Sequence, residues 1–151
     1  MGETWWAEAA EFGLMPVETA PLRLAMLPCF LGGLTGKTAC LRATWASNAA
    51  AETAFLLARQ ARYVILEIPR GGEELARELR RRYGLSAMGG AHPAETVDFT
   101  GTVSGAISMT GGEMLCRIEG QPVPEQAAAL LWESGRIKKE DIQVKSPPRN
   151  A

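Results

Sequence analysis

The chain has 151 residues, 46% of them hydrophobic and 22% charged, which suits one globular domain spanning 1–151 and excludes disordered and collagen-like classes. Sixteen Lys and Arg against seventeen Asp and Glu leave a net charge of −1. No whole-molecule field then favours nucleic acid or an anionic membrane surface, so any anion site must be local.

Thr4 can cap a short helix that carries Trp5, Ala9 and Phe12 on one face and stops at Gly13. Residues 1–20 read as a docking helix and linker, and the Trp5-Trp6 pair offers a surface for self-association. Leu22–Leu27 reads as a buried strand ended by Pro28. Ala39–Ala46 alternates as a strand does, although a helix running on into the alanines competes with that reading. Ser47 and Asn48 favour the strand, because both are helix-capping residues and place the start of a helix near Asn48, with Phe55, Leu56 and Leu57 entering the core. Leu22–Cys29 and Lys37–Ala46 would then form a hairpin.

Tyr63–Ile68 is a nearly continuous apolar run of the kind covered on both faces of a sheet, and Pro69 ends it. Glu73–Tyr83 has a helical apolar stripe of Leu75, Ala76, Leu79 and Tyr83, acids in its first turn, arginines in its last, and Gly84 after it. From Glu95 the period changes to two. Glu95–Val103, Ala106–Met109 and Glu113–Ile118 read as antiparallel strands, the last two joined by a hairpin at Thr110-Gly111-Gly112. Pro124 opens a helix through Ala127, Leu130 and Leu131 that Gly135 ends, and Asp141–Lys145 adds an edge strand before a tail at 146–151. The class is α/β: one mixed sheet with helices packed on it, βαβα-like at first and an antiparallel hairpin plus helix later.

Three glycine doublets, Gly32-Gly33, Gly71-Gly72 and Gly89-Gly90, each follow an apolar run. If those runs are parallel strands, loops 29–38, 69–73 and 89–93 meet on one rim, where open α/β sheets bind ligands. The expected function is binding of a small anionic metabolite or cofactor bearing phosphate or carboxylate. Gly32, Gly33, Thr35, Gly36, Lys37, Thr38, Arg70, Gly71 and Gly72 would hold it, with no particular cofactor specified. His92, the one histidine, is the candidate acid or base. Over eight residues Leu31–Thr38 is similar to the nucleotide P-loop, but it has leucine where the first glycine belongs.

Cys29, Cys40 and Cys116 have no metal-ligand spacing and read as reduced thiols of a cytoplasmic protein, by default in the core. Cys29 with His92 is a candidate nucleophile pair, although Pro28 and Phe30 beside it favour burial. Asp98 and Glu67 could pair as acid and base if their strands adjoin. Arg77, Arg80, Arg81 and Arg82 alternate with glutamates as a salt-bridged solvated face does, which argues against nucleic acid. No stretch approaches the ~20 apolar residues that cross a bilayer, so no membrane partner is expected. The alternative to a ligand-binding protein is a non-catalytic homo-oligomeric scaffold that makes contacts through edge strands and Trp5-Trp6.

Overall fold

Leu22, Arg23, Met26 and Leu27 recur at helical spacing, and in the computed structural model, which describes residues 19–84 and 92–151, they are the buried face of helix α1 (Ala20–Phe30). This corrects the expected strand and the hairpin built on it. An apolar run of six residues satisfies either period, and Leu and Met, neither of them branched at Cβ, favour a helix once one face of it is buried. Pro28 sits in the last turn, where it forgoes one intrahelical bond, and the helix stops two residues later.

The contacts divide the chain into two compact units: Met1–Leu27 with Glu113–Pro148, and Pro28–Gly112 with Arg149–Ala151. The α/β class stands, but the strands form two sheets, one four-stranded and one three-stranded, where a single mixed sheet was expected. The expected terminal docking helix and the doublet Gly89-Gly90 lie outside the described residues.

In the larger unit, strand β1 (Thr38–Arg42) leads to helix α2 (Asn48–Gln60), β2 (Tyr63–Glu67), helix α3 (Gly72–Tyr83), β3 (Glu95–Asp98) and β4 (Ile107–Ser108). Ser47 caps α2 as expected, its hydroxyl accepting the Ala50 N–H at 3.1 Å. All four strands are parallel, in the order β2-β1-β3-β4. The antiparallel arrangement expected for Glu95–Val103 and Ala106–Met109 is therefore corrected, as is the hairpin at Gly111-Gly112. Leu41, Leu57, Val64, Val97 and Ile107 fill the core between sheet and helices. Arg149 and Asn150, read from sequence as part of a tail, belong to this unit: Arg149 bridges Ile107 and Asn150 donates its N–H to the Ala106 carbonyl.

In the smaller unit, β5 (Cys116–Ile118) and β6 (Gln121–Val123) form an antiparallel hairpin. Its two turn residues, Glu119 and Gly120, have φ of 52° and 78°, the left-handed pair that matches strand twist. Strand β7 (Ile142–Val144) pairs with the other side of β5, which bears out the expected edge strand. Helix α4 (Glu125–Glu133) begins after Pro124 as expected and buries Ala127, Ala128, Ala129 and Leu131. Its Glu125 forms a bidentate pair with Arg23 of α1 at 2.6 and 2.7 Å, with both side chains buried.

Candidate functional site

In a parallel sheet, the residues before each strand gather at one edge and those after it at the other. Lys37 directly precedes β1, and residues 92–94 precede β3, so Lys37 and His92 belong to the amino edge. Gly32, Gly33, Thr35, Gly36 and Thr38 go with them. Arg70, Gly71 and Gly72 follow β2 and lie at the carboxyl edge. Strands of five residues at about 3.3 Å each set the edges on the order of 15 Å apart. The expected meeting of Lys37, Arg70 and His92 on one rim does not occur. The cause is the misread first segment: because Leu22–Leu27 is helical, the loop around Gly32-Gly33 precedes a strand instead of following one.

At the amino edge the described residues form a small cleft. Gly32, Gly33, Lys37, Ala94 and Glu95 line a cleft of only about 90 Å³, well below the several hundred that a metabolite occupies. A strand, not a helix, follows Lys37-Thr38, so the loop lacks the helix N-terminus on which a P-loop depends. Cys29 is exposed, contrary to the burial that its neighbours suggested, and no hydrogen bond joins it to His92 among the described residues. Cys40 and Cys116 are buried as expected. Burial, with Glu67 adding, pushes the Cys40 thiol up to about 11, and burial with Glu125 pushes Cys116 up to about 12. Neither is a thiolate at neutral pH, so neither is a nucleophile.

The carboxyl edge is different. The last residues of the strands stand in register as Glu67, Arg42, Asp98 and Ser108, in that order across the sheet. Arg42 separates Glu67 from Asp98, so the acid–base pair weighed for those two carboxylates does not form. Instead Arg42 Nη1 reaches Glu67 Oε2 at 3.2 Å, both side chains being about half exposed (45% and 51%). Such a pair contributes well under 1 kcal/mol and leaves the guanidinium open to a better anion.

Asp98 is fully buried and shapes the loop after β3. Its Oδ1 accepts the N–H and hydroxyl of Thr100 at 2.8 and 2.6 Å. Its Oδ2 accepts from the Thr102 and Val103 N–H groups, both at 3.0 Å, and from Asn150 Nδ2 at 2.7 Å. Burial alone would raise this carboxyl, but the hydrogen bonds from Thr100, Val103 and Asn150 outweigh it and hold the group below the usual carboxylate range. The same bonds fix Thr100 at the sheet edge.

Two depressions open there. One, of about 450 Å³, is lined by Arg42, Ala43, Thr44, Glu67, Pro69 and Thr100. The other, of about 610 Å³, is lined by Trp45, Ala51, Arg70, Gly71, Glu74 and Leu75. The loops after β1 and β2 are joined by a parallel bridge between Trp45 and Arg70 and by the Ala46 N–H donating to the Arg70 carbonyl at 2.8 Å. Gly71, at φ +85°, permits this closeness, since a Cβ there would stand 3.0 Å from that of Ala46. Arg70 is exposed and has no carboxylate partner among the described residues. Trp45 is 59% exposed.

Sequence reading singled out Arg70, Gly71 and Gly72 but missed Arg42, Thr44, Trp45 and Thr100 as site residues. The signal that could have found them is position: each ends a strand or lies within three residues after one. On α3, Glu78 collects Arg81 and Arg82 at 2.6 and 2.7 Å, and Arg82 also lies over the Phe55 ring, as a solvated face would arrange them. No metal-binding cluster of His, Cys, Asp or Glu occurs among the described residues, and no helix among them is long and apolar enough to cross a membrane. No family model matches this chain, and neither a curated protein nor a solved structure is significantly similar to it.

Proposed function

We propose that the larger unit binds a small anionic molecule, one bearing phosphate or carboxylate, at the carboxyl edge of its parallel sheet. The observation that carries this reading is the strand order. The chain leaves central β1 for β2 on one side and then returns to β3 on the other, so the loops after β1 and β3 part at a topological switch point, where open α/β sheets hold their ligands. Arg42, Thr44 and Thr100 line the depression at that point. Arg70 supplies a second cation beside it, and a guanidinium offers the fork that phosphate and carboxylate oxygens match. Lys37 and His92 have no part in this reading, because the sheet separates them from it.

The test is a thermal-shift and calorimetric survey of phosphorylated and carboxylated metabolites. Arg42→Ala and Arg70→Ala are each expected to weaken a hit roughly tenfold, the loss of one charge-assisted contact, while Lys37→Ala leaves it unchanged. A hit weakened by Lys37→Ala and not by either arginine variant would move the site to the amino edge and overturn the proposal.

One observation favours a second reading, self-association. Strand β2 is an outer strand of its sheet, and Tyr63, Ile65 and Leu66 on it are only partly buried. An outer strand whose one charge, Glu67, stands at its end pairs with a copy of itself, and a lysine placed in mid-strand blocks such pairing. Sedimentation is expected to show a dimer for the wild type and a monomer for Ile65→Lys; a monomeric wild type removes this reading.

A further inference from the structure

We infer that the ligand at the carboxyl edge is a purine nucleoside monophosphate, its base stacked on Trp45 and its phosphate on Arg42; this inference rests on the anion-binding reading above. An isolated exposed aromatic side chain is ordinary on a protein surface. The setting of Trp45 is not. It walls a groove of about 610 Å³ together with Arg70, Gly71 and Glu74.

The backbone that carries the indole is held on both sides. The Trp45–Arg70 bridge and the Ala46-to-Arg70 bond tie its loop to that of β2, and the Ser47 N–H donates to the Trp45 carbonyl at 2.9 Å. With that backbone already fixed, only the indole's own rotation has to be ordered when a flat ring stacks on it.

The charges around it sort the parts of the ligand. Glu74 is exposed and pairs with no cation among the described residues. A carboxylate beside a stacking surface accepts the N–H donors on the edge of a purine, and guanine presents two of these side by side. Glu73 and Glu74 also occupy the first turn of α3 and repel phosphate from that helix end. The phosphate is thereby directed to the adjoining depression, where Arg42, Thr44 and Thr100 face it without a second carboxylate beyond Glu67. Base on one side and phosphate on the other accounts for both depressions with one ligand.

The experiment titrates the full chain with guanosine monophosphate and with ribose 5-phosphate, by calorimetry and by tryptophan fluorescence. The nucleotide is expected to bind at least tenfold more tightly than the sugar phosphate, in keeping with the strength of base–aromatic stacking, and to quench indole emission. Trp45→Ala should abolish that advantage and the quench while leaving ribose 5-phosphate affinity unchanged. Glu74→Ala should lower nucleotide affinity alone. Equal affinity for the two ligands, or nucleotide binding indifferent to Trp45→Ala, overturns the inference while the anion site stands. Failure of both ligands and of inorganic phosphate to bind overturns the anion site as well.

Discussion

Glu125→Ala is expected to destabilise the protein by about 3–5 kcal/mol, because it removes the carboxylate paired with a buried arginine. Arg23 Nε and Nη2 donate to the two Glu125 oxygens at 2.6 and 2.7 Å, and the side chains are only 2% and 5% exposed. The same carboxylate accepts the Met114 N–H at 3.0 Å, so its removal also orphans a buried backbone donor at a further cost of about 1–3 kcal/mol. Arg23→Met makes the converse error and leaves a buried carboxylate uncompensated. A double variant, Arg23→Met with Glu125→Gln, keeps an acceptor for Met114 and buries no charge. Its loss, measured by urea denaturation, should fall well short of the sum of the two single losses. Strict additivity, with each single change below about 1 kcal/mol, would show that the pair does not hold α1 to α4.

That ion pair also shows why part of the fold could not be read from sequence. Its partners lie 102 positions apart, so the neighbours of Arg23 in the chain do not announce the Glu125 carboxylate it is buried against. Without that partner, Leu22–Leu27 was an apolar run as good for a strand as for a helix, and the helical spacing of Leu22, Arg23, Met26 and Leu27 had an arginine in the middle of it. Where the determinants are local, the reading held: the Ser47 cap, the Leu75 and Leu79 stripe of α3, the Pro124 start of α4, and the apolar run of β2. Strand direction is not local. Gly111-Gly112 has the composition of a hairpin turn, yet β4 runs parallel to β3 and the chain then passes into the other sheet.

The site followed the same division. Gly71 and Gly72 were legible as a strand-to-helix loop because both flanking elements were. Their glycine character has a packing reason, since a Cβ at Gly72 would stand 3.1 Å from that of Ile68. Lys37 and His92 carried chemistry attractive enough to draw a prediction, but which edge they occupy depends on whether a strand lies before or after them. One wrong element moved a whole loop to the other end of the sheet.

Asp98→Asn is the second large effect, an expected loss of about 3 kcal/mol or more at neutral pH. Asparagine keeps one acceptor oxygen for Thr100 but turns an amide toward the N–H groups of Thr102 and Val103 and the Asn150 amide, leaving buried donors facing a donor. The pH dependence follows from the direction of the shift. The folded-state carboxyl lies below its ordinary value, which is about 3.9 in an unfolded chain. Its contribution is therefore complete above that value and is lost as pH falls through the lower, folded-state one. Wild type and Asp98→Asn should accordingly differ most at pH 7 and converge as the medium is acidified below about pH 4. Since Asp98 also anchors Thr100 at the sheet edge, the variant should weaken anion binding there even where it remains folded. Urea melts at pH 7 and pH 3, with a phosphate-ligand titration at pH 7, measure both effects. A stability gap below about 1 kcal/mol at pH 7, or one that persists undiminished in acid, would show that the carboxylate is not what organises the loop after β3.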